Sequence, residues 1–117
     1  MLEWVKKLFF HPTDFTDESG YPAKRIASVI SDLTEACPRG RRLAAENLGE
    51  KGITQAIPAL TSRLFAERDD VVCLAILEAL HLFEDERVRQ VIEKCAKKHR
   101  DEYIRSVAKE YLTTQPS

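Results

Sequence analysis

The chain has 117 residues, 44% of them hydrophobic, which is enough for one compact core and too little chain for two independent domains. Charged residues make up 32%, but 18 basic and 19 acidic side chains nearly cancel, so bulk electrostatics supplies no pull toward nucleic acid or anionic membrane. The three cysteines, Cys37, Cys73 and Cys95, form no CxxC pair and sit in apolar helical stretches, so they read as small buried hydrophobes in a reducing, cytoplasmic setting.

In chain order, MLEWVKKLFF places Leu2, Trp4, Val5, Leu8 and Phe9 on one broad face and Glu3, Lys6 and Lys7 on the other, which predicts a short amphipathic helix over 2–10. It lacks the long apolar region and cleavage site of a secretory signal, so it is expected to be retained. Its expected role is to cover the open apolar end of the first repeat. Docking on a partner through Trp4 and Phe9, pairing with a second copy across a two-fold axis, or weak membrane-surface contact are the alternatives. His11 to Tyr21 contains Pro12, Gly20 and three acidic residues and reads as a loop.

From residue 22 onward apolar residues recur three and four apart, and no segment shows strand alternation. Helices are predicted at 22–36, 39–49, 55–66, 70–83, 86–98 and 102–113, making seven with the first. Pro22 and Pro38 suit first helical turns, and Pro58 is tolerated within the first turn of its helix, where an N–H would have no intrahelical partner. Asp69 or Asp70, Asp85 and Asp101 are expected N-caps, and Gly49 and Gly52 are expected to end a helix. The helix at 70–83 is apolar almost all round and must be covered on most sides. It is still short of the roughly 20 apolar residues of a membrane span, and a soluble protein is expected.

Self-similarity organises these segments. Glu46-Asn47-Leu48, Glu78-Ala79-Leu80 and Glu110-Tyr111-Leu112 recur at a spacing of 32, while Ile26, Ile57 and Val88, then Val29, Leu60 and Val91, then Leu33, Leu64 and Cys95 superpose at 31. Two kinds of helix therefore alternate in a stack, with a buried middle repeat and a polar end-cap at 102–113. The expected layout is a single domain over 1–117: a cap at 1–21, repeats at 22–113 and a tail at 114–117.

The stretch RRLAAENLGEKGITQAIPAL, Arg41 to Leu60, resembles the HEAT-like repeat of phycobilisome lyases: an Ala-rich helix ending in Leu-Gly, a short loop, then a helix opening Ala-Ile-Pro-Ala-Leu. Asp-Asp-Val-Val at 69–72 and Asp-Glu-Tyr-Ile-Arg at 101–105 resemble the openings of the following repeats. The arginine of that pattern is present as Arg105 and replaced by Cys73 in the middle repeat, and His81 stands where Gly49 stands one repeat earlier. The resemblance implies an all-α, short right-handed α-α superhelix of about seven helices. It also implies a concave surface lined by the helices at 22–36, 55–66 and 86–98.

No catalytic constellation emerges. The histidines, His11, His81 and His99, stand in unrelated contexts, His81 with Glu84 and His11 with Asp14 are only lone pairs, and four scattered glycines make no phosphate loop. No cofactor and no metal are expected. Basic residues cluster at Lys24, Arg25, Arg39, Arg41 and Arg42, and at Lys94, Lys97, Lys98, His99, Arg100 and Arg105. Without aromatic interleaving these read first as solvated helix ends. The candidate partner-binding residues are Arg25, Ser28 and Asp32, their counterparts Ala56, Ala59 and Arg63, then Arg87, Gln90 and Lys94, together with Trp4 and Phe9. The expected function is a non-catalytic protein-binding scaffold or adaptor. An accessory subunit of a chromophore lyase or other enzyme, and a nucleic-acid-binding helical repeat, are the alternatives.

Overall fold

A computed structural model of the chain describes residues 22–114. They form six α-helices: α1 (Ala23–Ser31), α2 (Pro38–Glu50), α3 (Ile57–Ala66), α4 (Asp70–His81), α5 (Glu86–Lys98) and α6 (Glu102–Thr114). There is no β-strand among the described residues. Every helix predicted from residue 22 onward is present, while the helix at 2–10 and the loop at 11–21 lie outside the described residues.

The chemistry of the helix ends accounts for the boundaries. Asp69 Oδ1 accepts from the N–H groups of Val71 and Val72 at 3.0 and 3.1 Å, and Asp101 Oδ1 accepts from Tyr103 and Ile104 at 2.8 and 3.1 Å. Asp85 caps α5 through the Arg87 N–H at 2.8 Å. Each such cap contributes about 1 kcal/mol by satisfying donors that have no helical partner. Pro38 and Pro58 sit in the first turns of α2 and α3. The segment predicted as one helix at 22–36 tightens into a 3-10 turn at Asp32–Thr34, and a second such turn, Thr54–Ala56, leads into α3.

One glycine has a different role from the one expected. Gly49 lies inside α2 and is buried, and the helix continues to Glu50. A Cβ there would stand 2.8 Å from both Cα and Cβ of Ala79, so the missing side chain lets α2 and α4 approach closely. The turn belongs to Gly52, whose φ of +63° is the left-handed conformation glycine adopts freely.

The helices form two layers, α1, α3 and α5 in one and α2, α4 and α6 in the other. Within layers α2 packs on α4, α4 on α6 and α3 on α5; between layers α1 packs on α2, α3 on α4, and α5 on both α4 and α6. One continuous apolar cluster runs from Ile26 to Ala108. As its composition demands, α4 is the central element, with Val72, Cys73, Ala75, Ile76, Leu77, Ala79 and Leu80 buried. On α6 the outward residues Glu102, Ser106, Lys109 and Glu110 are polar and exposed, although Tyr103 is exposed beside them.

Candidate functional site

A buried polar group needs a partner, so the buried polar side chains are the first place to look for chemistry. Glu67 and His99 are those among the described residues. They follow α3 and α5 and stand 32 residues apart, one repeat.

The Glu67 carboxylate is fully saturated. Arg41 donates to it twice, from Nε at 2.8 Å and from Nη2 at 2.9 Å; Arg63 Nε donates at 3.0 Å and the Asp69 N–H at 3.0 Å. Burial by itself would raise its pKa, but the Arg41 and Asp69 hydrogen bonds and the charges of Arg41 and Arg63 outweigh that and hold it below the usual carboxylate value. Arg41 also donates to the carbonyls of Glu35 and Ala36 at 2.7 and 3.0 Å, so one guanidinium ties the end of α1 to the end of α3.

His99 repeats this arrangement with different atoms. Its Nδ1 accepts from the Asp101 N–H at 3.0 Å, as Glu67 accepts from Asp69. That places the proton on Nε2, which lies 3.0 Å from the Leu64 carbonyl and 3.2 Å from Cys73 Sγ. Cys73 reaches His99 across 26 residues, the separation of Arg41 from Glu67, and Arg105 donates to the His99 carbonyl as Arg41 does to that of Glu35. Two successive joints of the stack thus occupy one geometry, one built from charges and one from a thiol and a neutral imidazole.

The Cys73–His99 pair is not a nucleophile and its base. A base must accept the thiol proton, whereas Nε2 already carries one and directs it at Leu64. Burial pushes the Cys73 thiol up to about 12 and that of Cys95 to about 11, so both stay protonated. Cys37, expected to be buried, is exposed just ahead of α2. His81, in the last turn of α4, stacks on Tyr111 with ring centroids 3.9 Å apart. Among the described residues no group of three or more His, Cys, Asp or Glu could hold a metal ion, and no helix is long and apolar enough to cross a membrane.

The predicted partner-binding ladder resolves into three rows with different fates. In the first, Arg25 is exposed beside α2, Ala56 is buried at 0% and so leaves the ladder, and Arg87 is paired with Asp85 at 3.0 Å. In the third, Asp32 shares a groove with α2, Arg63 holds Glu67, and Lys94 Nζ lies 5.0 Å over the Phe65 ring. Of these two rows only Lys94 reaches another hairpin, while Arg63 and Arg87 pair with acidic residues close by in sequence. The middle row, Ser28, Ala59 and Gln90, keeps its face open: the two polar residues are exposed and Ala59 is half-buried. Trp4 and Phe9 lie outside the described residues.

The basic cluster at 94–105 is largely structural. His99 is buried, Arg105 holds the His99 carbonyl, and Arg100 donates to the carbonyls of Phe65 and Glu67 at the end of α3. Lys97 and Lys98 remain exposed in the last turn of α5, where cations complement the helix dipole. Glu67 and the contacts of Arg41 and Cys73 are not among the features that periodicity and motifs single out. A signal is nonetheless present, because Arg41, Cys73 and Arg105 recur at 32, as do Glu35, Glu67 and His99.

Comparison with known families finds a match to HEAT repeats over residues 26–113. No curated protein and no solved structure matches the chain.

Proposed function

The chain belongs to the HEAT-repeat family, and from that premise we propose that it is a non-catalytic protein-binding scaffold whose partner lies along the open face of α1, α3 and α5. HEAT repeats generally serve as protein-interaction scaffolds. What supports this face is the middle row. Ser28, Ala59 and Gln90, flanked by Ser31, Ser62 and Glu93 at the same spacing of 31, put equivalent positions of three neighbouring helices side by side. All of these but the half-buried Ala59 are exposed, and none is engaged in the buried joints. Short side chains on α1 and α3 leave a shallow floor, while α5 adds polar groups at one end. A rigid layer of this kind presents an extended surface without bond-making chemistry. Three free cysteines, two of them buried thiols, suit a reducing cytoplasm.

The test is capture of the partner from native cells with wild type and with Ser28→Arg, Ser62→Arg and Gln90→Arg, each placing a long cation on an exposed position. Proteins retained by wild type and lost with these variants support the assignment. Full retention by all three overturns it. The other readings have their own signatures. A lyase-type accessory role gives a spectral change on mixing with a tetrapyrrole, and nucleic-acid binding gives affinity that falls steeply with salt. The scaffold reading predicts neither.

A further inference from the structure

An apolar side chain on the outer surface of a repeat stack adds nothing to the core, and where several share one face they mark an interaction surface. Val71, Leu74 and Leu82 share such a face. Their spacing puts them on one side of α4, opposite its buried residues Val72, Ile76 and Leu80 and so away from α1, α3 and α5. Val71 is 58% and Leu82 60% exposed, and Leu74 is half-buried. Tyr103, at the Val71 position of the neighbouring α6, is 62% exposed. The same three positions on α2 are Arg39, Arg42 and Glu50. The middle helix of the layer thus carries aliphatic side chains where its neighbour carries charges.

We propose that this outer face of α4 docks an amphipathic helix of a partner protein, apolar at two points about three turns apart and basic between them. The stripe runs along one helix axis for about 16 Å, so its complement is a second helix, whose side chains repeat at the same period. Each end of the stripe opens on a cavity. Val71 lines one of about 260 Å³ with Pro38 and Arg39, and Leu82 lines one of about 690 Å³ with Phe83 and Val88. Both have room for an aliphatic side chain. Between them stands Glu78, and with Glu46 and Glu110, at the same position on α2 and α6, it makes a row of three exposed carboxylates. Glu46 pairs with Arg42 at 3.8 Å, whereas Glu78 and Glu110 form no ion pair among the described residues. A helix covering the stripe with apolar residues alone would leave Glu78 buried and unpaired. A lysine or arginine opposite it removes that penalty, and an acidic helix is rejected. This surface is on the other layer from the α1, α3 and α5 face, so the proposal stands or falls independently of that reading.

The test is selection, on the whole chain, from a phage-displayed library of helical peptides randomised along one face. The expected binders carry aliphatic or aromatic residues about eleven positions apart with lysine or arginine between. A synthetic copy of the best of them then loses affinity about tenfold or more on Val71→Asp and on Leu82→Asp, exposed positions where the far-UV circular dichroism is kept. Glu78→Lys, a polar exchange on the surface, serves should either aspartate disturb folding: it weakens the basic peptide and favours a copy with glutamate in place of its cation. A selection that yields no binder overturns the proposal, as do binders without the basic position or binders held by all three variants as tightly as by wild type. So do binders lost with Ser62→Arg, which belong to the other face. Self-association of the wild type in sedimentation, abolished by the two aspartate variants, makes a second copy the occupant and likewise overturns it.

Discussion

The equivalence of the two buried joints predicts that the charged one can be moved by one repeat. Cys73→Arg combined with His99→Glu rebuilds at the second joint the Arg41–Glu67 pair of the first. The Asp101 N–H is already placed to donate to the new carboxylate, as the Asp69 N–H donates to Glu67 at 3.0 Å. Cys73→Arg alone buries a guanidinium against a neutral imidazole, and His99→Glu alone buries a carboxylate without its cation. Each leaves an uncompensated buried charge and costs about 3–5 kcal/mol. Added independently they would remove about 6–10 kcal/mol from a domain whose whole stability is on the order of 5–15 kcal/mol. The double variant is expected to be less destabilised than that sum by about 2–3 kcal/mol, the upper range for side chains in contact. Urea unfolding followed by far-UV circular dichroism on wild type, both singles and the double gives the coupling. Additivity within about 0.5 kcal/mol would refute the idea that one geometry serves both joints.

The same contacts carry other expected outcomes. Gly49→Ala drives a Cβ to 2.8 Å from the Ala79 backbone and should cost about 1–3 kcal/mol in thermal or urea unfolding. Gly52→Ala meets no atom within 4 Å and loses only the left-handed turn, about 1–2 kcal/mol. In the native protein a thiol reagent should modify Cys37 quickly and Cys73 and Cys95 only on unfolding; equal rates would contradict their burial. Because the Glu67 pKa is depressed on folding, its contribution is present above the unfolded carboxylate value of about 4.3 and is lost as pH falls through the folded value. Stability measured downward from pH 5 should therefore fall less steeply in Glu67→Gln than in wild type, and equal slopes would count against the joint.

The repeat itself is legible in the sequence because apolar periodicity is a local property. The 31 and 32 residue shifts, the aspartate caps and the covered character of α4 each depend on residues a few positions apart, and the structure carries them. Gly49 reads as a helix end because Leu-Gly with a second glycine close behind mimics one; its actual reason, the Ala79 backbone, is a contact 30 residues away. The ladder fails at Ala56 and Arg63 for a related cause. A helical wheel separates core from non-core but does not show which non-core side chains are drawn into contacts, as Arg63 is onto Glu67 and Lys94 over the Phe65 ring. A lone glutamate after a helix, as Glu67 is, reads as surface until Arg41, 26 residues earlier, is placed on it.

The two joints also bear on where such a stack yields. Glu67 gathers four donors, two of them from a bidentate guanidinium, so separating α2 from the end of α3 takes away half of them and leaves Arg41 without its carboxylate. At the second joint His99 holds the Leu64 carbonyl and a thiol, all neutral, and separation exposes only groups that water rehydrates easily. The seam between Cys73 on α4 and His99 after α5 is therefore the softer of the two. Native-state hydrogen exchange should show α5 and α6 opening as a unit ahead of α2 and α4. Uniform protection across all four helices would show that the shared apolar core, and not the polar joints, decides where the stack opens.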